Sequence, residues 1–174
     1  SVHEKRIIHG DLKPANFLFV NGKLKLIDFG IAKTYSNDTT NIMRDSQVGT
    51  LNYMSPEAIL DTSQREDMGY GSASSSSHGD RPVLKQGRAS DIWSLGCILY
   101  QMVYGKTPFA HLNVIQKLQQ IVNPCMPIKF PDCADSALLD SMKRCLERDP
   151  RTRATIDGAD GLLEHRFLHP REAN

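Results

Sequence analysis

The segment from Ile92 to Tyr104 is apolar on almost every side of a helical wheel. A helix with no polar face to give to water is stable only when other elements surround it, so this one is expected to be the central post of a domain. Ser90 can cap it, with Asp91 as its first residue. Gly105 ends it and Pro108 keeps it from resuming. Two amphipathic stretches can pack on the post. Asn113 to Val122 carries Ile115, Leu118, Ile121 and Val122 at helical spacing, and Ala134 to Glu147 carries Leu138, Leu139, Met142, Cys145 and Leu146. A last helix is expected from Thr155 to about His165, weakened by Gly158 and Gly161. The 174 residues suffice for one core, with no obvious room for a second.

Ahead of the helices, Phe17 to Val20 and Lys23 to Ile27 are short apolar or alternating runs joined by Asn21-Gly22. That dipeptide tolerates positive φ at both positions and suits a type I′ turn, so the runs form a β-hairpin. Alternation puts Leu24 and Leu26 on one face, expected to be buried, and Lys23 and Lys25 on the other. The hairpin holds Asn16 at one strand's entrance and Asp28 at the other's exit. Two oxygen ligands are thereby brought together. The fold class is mainly α with a small β-hairpin.

Two polar stretches interrupt this pattern. Ile31 to Met54 reads as one long loop, a length that is usually functional or disordered. A stretch from about Asp61 to Arg88, with Ser74 to Ser77 and several glycines, reads as a disordered insertion because it cannot bury enough apolar surface to offset its ordering entropy. A net charge of +1 with scattered basic residues gives no nucleic-acid or membrane footprint. No run of about 20 apolar residues is present, so a soluble intracellular protein is the expectation. Cys97, Cys125, Cys133 and Cys145 form no C-x-x-C pair and read as reduced, mostly packed thiols.

The chemistry lies in His9-Gly10-Asp11-Leu12-Lys13-Pro14-Ala15-Asn16 followed by Asp28-Phe29-Gly30. Phosphoryl transfer needs an oriented hydroxyl, neutralised phosphate charge and in-line geometry rather than covalent help. Asp11 can aim an incoming hydroxyl and accept its proton. Lys13 can pair with the transferred group as a point charge. Asn16 and Asp28 offer hard oxygens that suit Mg²⁺, an ion that takes one or two protein oxygens and completes its shell with water and phosphate. Each motif alone is weak, and their ordered occurrence across a hairpin is specific.

These motifs resemble the catalytic loop (9–16) and the start of the activation segment (28–57) of protein kinases. Ser55-Pro56-Glu57 resembles the A-P-E that closes that segment, Asp91-Ile92-Trp93-Ser94-Leu95-Gly96 the D-x-W-S-x-G of the long central helix, and Arg148 to Arg153 the R-D-P-x-x-R. The resemblance covers residues 1–170 and implies a kinase C-terminal lobe with its N-terminal lobe absent. Within the superfamily the chain is most similar to the monopolar-spindle (TTK-type) checkpoint kinases, through Asp11 to Leu18, Leu24 to Ala32, Asp38-Thr39-Thr40, Asp45 to Thr50, Asn52-Tyr53-Met54, Trp93 to Tyr100 and Tyr104 to Phe109.

That resemblance implies a dual-specificity, mostly Ser/Thr-directed enzyme using ATP and Mg²⁺. It implies action at kinetochores in spindle-checkpoint signalling, nuclear and cytoplasmic location, and protein partners rather than nucleic acid or membrane. It makes Asp11 and Lys13 catalytic, Lys13, Asn16, Leu18 and Asp28 nucleotide-binding with Leu18 under the adenine, and Asn16 and Asp28 the metal ligands. His9 and Phe29 would stack between lobes, Asp91 would hold the His9-Gly10-Asp11 turn, and Glu57 would pair with Arg153. Thr50 would touch Asp11 and Lys13, and Thr39, Thr40, Ser46 and Thr50 would be autophosphorylation sites. Gly10 stands where most kinases have an Arg that grips a loop phosphate, leaving Lys33 or Arg44 to that task. The sequence holds no G-x-G-x-x-G loop and no strand lysine of the V-A-I-K type, so ATP binding is expected to need the other lobe. The alternatives are a truncated lobe that binds partners without catalysis, and a Ser/Thr kinase of another pathway.

Overall fold

The computed structural model describes residues 8–28, 49–60, 81–158 and 160–169, with the backbone alone for 81–86. Phe29, Thr39, Thr40 and Ser46, and the insertion over 61–80, lie outside the described residues. A short 3-10 turn, Pro14–Asn16, leads into strand β1 (Phe17–Val20), which pairs antiparallel with β2 (Lys23–Leu26). Asn21 (φ 51°) and Gly22 (φ 73°) make the turn, as their tolerance of the left-handed region predicts. Phe17 faces Leu26 and Phe19 faces Leu24. The face expected to be buried is nevertheless open, with Phe19 78% and Leu24 56% exposed. Alternation fixes which side chains share a face, but no described element lies over this one.

Helices follow: α1 (Arg81–Tyr104), α2 (Val114–Val122) and α3 (Ser136–Cys145), with a helical run at 56–60 ahead of them. Ser55 caps that run, its Oγ accepting from the Ala58 N–H, and Pro56 sits in the first turn where its missing N–H costs nothing. Asn113 caps α2 in a reciprocal box with Gln116, and Asp135 caps α3 by accepting from the Ala137 and Leu138 N–H groups.

The post begins at Arg81, not Asp91, and Ser90 is interior to it rather than its cap. Residues 81–88, expected in the irregular insertion, are helical. Pro82 is tolerated in a first turn, and the Leu, Lys, Gln and Arg that follow are good helix formers, a local preference hidden when composition is averaged across the insertion. The post is also not enclosed all round, because Met102 is 77% exposed. Its buried side chains build the core. Trp93, Cys97 and Tyr100 meet Ile59, Phe109, Ile121, Met142 and Leu146, while Ile92 joins Cys145 and Ala154 in a second cluster. Each of these large side chains contributes on the order of 1.5–3 kcal/mol by leaving water. All four cysteines are free, with Cys97 and Cys145 buried and Cys125 exposed.

Gly96 lets α1 and α3 approach closely, since a Cβ there would lie 2.7 Å from Cys145 Cβ. Trp93 is wholly buried, yet its indole N–H finds no hydrogen-bond partner among the described residues.

The last helix expected over 155–165 is absent. Leu162 and Leu163 donate seven residues back, to the carbonyls of Thr155 and Ile156, closing a loop that ends in the 3-10 turn Leu162–Glu164. Gly158 takes φ 101°, and Gly161 lies so close to the Asp157 backbone that a Cβ would come within 2.6 Å of its carbonyl carbon. The glycines that weaken a helix here build a loop instead. His165 secures that loop to α3. Its Nδ1 accepts from the Phe167 N–H and meets Ser141 Oγ, so Nε2 carries the proton it donates to Asp140. Among the described residues no helix is long and apolar enough to cross a membrane.

Candidate active site

The segment 9–16 is fixed before any ligand arrives. Asp91, 2% exposed on α1, accepts the N–H groups of His9 and Gly10 on its two carboxylate oxygens, each at 2.9 Å. His9 accepts the Asp11 N–H on Nδ1 at 3.3 Å, which leaves Nε2 as the protonated nitrogen that donates to the Ile27 carbonyl at 3.1 Å. One buried ring thus joins the turn before Asp11 to the exit of β2. Gly10 supplies φ 75°, a backbone state that side chains adopt only with strain.

Around this frame the predicted chemical groups converge. Lys13 Nζ lies 2.9 Å from Asp11 Oδ2 and 3.4 Å from Thr50 Oγ1. Asn16 is buried, and its amide nitrogen donates to the Asp11 carbonyl at 2.7 Å, leaving the amide oxygen as the end not spent on the loop. The Ile27 N–H donates to the Asn16 carbonyl at 2.9 Å, which sets the residue before Asp28 beside Asn16. Asp28 is exposed, with φ 55°, and makes no ion pair among the described residues. One buried amide oxygen and one exposed carboxylate are the hard donors a Mg²⁺–phosphate complex accepts, so the set fits that ion. Leu18, 46% exposed, stands on the hairpin face that also carries Lys25.

Glu57 and Arg153 meet as expected, at 2.6 and 2.9 Å in a two-pronged pair. All five guanidinium N–H groups are used, the remaining three bonds going to the carbonyls of Ala89, Glu147 and Arg148. Burial pushes the Glu57 carboxyl upward, but hydrogen bonds and charge from Arg153, helped by Ser90 Oγ, outweigh it and hold it below its ordinary value. Arg153 also lies 5.2 Å above the Trp93 ring.

Sequence reasoning missed how residues 49–54 are held. Ser94 Oγ donates to the Tyr53 carbonyl at 2.8 Å, Tyr53 OH donates to Gln101 Oε1 at 2.6 Å, and Lys117 Nζ donates to Asn52 Oδ1. Lys117 carried one signal, a lone cation at the same helical phase as Ile121 on the face of α2 that turns inward.

The protein kinase domain model matches residues 1–168. The probable serine/threonine-protein kinase mps1 of Dictyostelium discoideum is 54% identical over 97% of this chain and 16% of its own length. The dual specificity protein kinase Ttk of Danio rerio is 52% identical over 97% of the chain and 16% of its own length. The serine/threonine-protein kinase mph1 of Schizosaccharomyces pombe is 51% identical over 97% of the chain and 26% of its own length. The chain therefore spans about a quarter or less of the length of these relatives.

Proposed function

The chain belongs to the protein kinase domain family, and on that premise we propose that it is the C-terminal lobe of a dual-specificity, mainly serine/threonine-directed kinase. The observation that carries this reading is the meeting of Asp11 and Lys13, on a loop fixed by Asp91 and tied to Asn16, with Thr50 of a separate segment. Asp11 orients the acceptor hydroxyl and takes its proton as the oxygen attacks the γ-phosphorus and the bond to the departing diphosphate breaks. Lys13 offsets charge on the transferred group, and its contact with Thr50 supports a place for Thr50 beside the acceptor. Asn16 and Asp28 would hold Mg²⁺, which when bound supplies charge neutralisation to the phosphates.

Leu18 would support the adenine, and His9 and Phe29 would pack between the lobes. Thr39, Thr40, Ser46 and Thr50 remain the sites proposed for autophosphorylation. The exposed apolar hairpin, with Leu18, Phe19, Val20 and Leu24 all open to solvent, supports a second lobe covering it. Identity to the mps1- and Ttk-named kinases supports a role in spindle-checkpoint signalling at kinetochores, with kinetochore proteins as partners and a nuclear and cytoplasmic location.

The test is peptide phosphorylation by the full-length protein beside its Asp11→Asn variant. The variant is expected to lose at least about 100-fold in kcat while still binding ATP. Equal activity of the two would refute the assignment, and an inert parent that still binds protein partners would favour the non-catalytic lobe. Depletion is expected to abolish mitotic arrest after spindle poisoning; persistent arrest would point to a kinase of another pathway.

A further inference from the structure

Lys117 is a cation in the wrong surroundings for a merely structural lysine. It sits mid-way along α2, is 5% exposed, and its one hydrogen bond among the described residues goes to a neutral amide oxygen, that of Asn52, at 2.5 Å. Burial pulls its pKa below the ordinary lysine value. A buried ammonium without a carboxylate is unfavourable, and an apolar side chain could occupy the same helical face beside Ile121 without that cost. The position therefore gains something other than stability.

What it touches suggests what that is. Asn52 lies in a short segment whose head, Thr50, receives a hydrogen bond from Lys13, the partner of Asp11. Among the described residues α1 hydrogen-bonds this segment at Tyr53, through Ser94 and Gln101, while Leu51, Tyr53 and Met54 pack against the core. Between that anchor and Thr50 the Lys117–Asn52 bond is the tether from α2. The segment's apolar side chains seat it on the core, and the Lys117–Asn52 bond adds a polar restraint beside Thr50, which meets Lys13.

We propose that Lys117 is a positioning residue for phosphoryl transfer, holding residues 49–54 through Asn52 so that the protein acceptor is presented squarely to Asp11. Its consequence for catalysis rests on the kinase reading above. On that reading Asn16 and Asp28, which would hold the nucleotide's metal, lie outside the tethered segment, so the effect falls chiefly on the protein substrate.

The experiment uses the full-length protein with Lys117→Met, Asn52→Leu and Asn52→Asp, the last keeping an acceptor for the ammonium. Lys117→Met and Asn52→Leu are expected to speed amide exchange at residues 50–53 and to lower kcat/KM for a protein substrate about tenfold, chiefly through its KM. The KM for ATP stays unchanged and the melting temperature holds or rises. Asn52→Asp retains most of the parent's exchange protection and activity. Unchanged exchange, an unchanged KM for protein substrate, activity that falls only in step with melting temperature, or Asn52→Asp behaving like Asn52→Leu would each overturn the proposal. A parent that phosphorylates nothing refutes the kinase reading first, while a changed exchange pattern on an active parent isolates the tether.

Discussion

Removing Glu57 should destabilise the fold more than any surface charge can, because of what is left behind. Arg153 has no side-chain exposure, and Glu57 supplies the one charged acceptor for each of its two terminal nitrogens. Glu57→Leu strands a guanidinium in the interior, a change worth about 3–5 kcal/mol. For a domain of this size that lowers Tm by roughly 6–20 °C. Arg153→Met should cost a similar amount. The double variant does not return to the parent, because the carbonyls of Ala89, Glu147 and Arg148 lose their donor, but it falls near the cost of one single change rather than the sum of two. The sign in acid follows from the depressed Glu57 carboxyl: its contribution is complete above its ordinary value of 4.5 and is lost as pH falls through the lower folded value. Chemical denaturation of the four proteins, repeated across the acid range, reads all of this. A single change costing under about 1 kcal/mol, or strict additivity, would refute the reasoning.

Gly96→Ala should destabilise by about 1–3 kcal/mol in a melting experiment, because the new methyl meets Cys145 and Leu146 across the helix crossing. Gly10→Ser has space for its side chain but not the backbone state, so it should change turnover through the Asp11 loop, and an unaltered kcat would end that idea. Asn16→Ala should raise the Mg²⁺ concentration needed for half-maximal activity while slackening the Asp11 carbonyl, which a metal titration measures. Iodoacetamide under native conditions should modify Cys125 and spare Cys145, whose thiol burial pushes up to about 12, and Cys97, raised likewise by burial; mass spectrometry of the peptides decides.

Local chemistry was the legible part of this sequence. Asn21-Gly22 announces its turn because few other pairs accept positive φ twice, and Leu118 with Ile121, like Leu138 with Met142, announces its helix by apolar spacing. The Asp11–Lys13–Thr50 cluster and the Glu57–Arg153 pair were legible through motif resemblance, since no spacing rule brings together residues 96 positions apart. Tertiary facts were hidden. Periodicity says that Phe19 and Leu24 share a face but not what covers it, and it cannot show Gly161 pressed on the Asp157 backbone, which turns an expected helix into a loop. The first turns of α1 were obscured by a polar neighbourhood whose average outweighed the helix formers at 84, 85, 86 and 88. The bond that holds Lys117 was hidden as well, because its acceptor lies on a segment 65 residues earlier.

That the indole N–H of Trp93 is unanswered among the described residues has a consequence for how position 93 can change. A phenyl ring there would remove the orphan donor, worth about 1–3 kcal/mol, and still fill much of the volume. It would also narrow the electron-rich plate under the Arg153 guanidinium, and indole is the aromatic that attracts a cation most strongly. The interior has kept the wider ring and forgone one hydrogen bond, so the seat of its deepest positive charge is quadrupolar below and anionic at its edge.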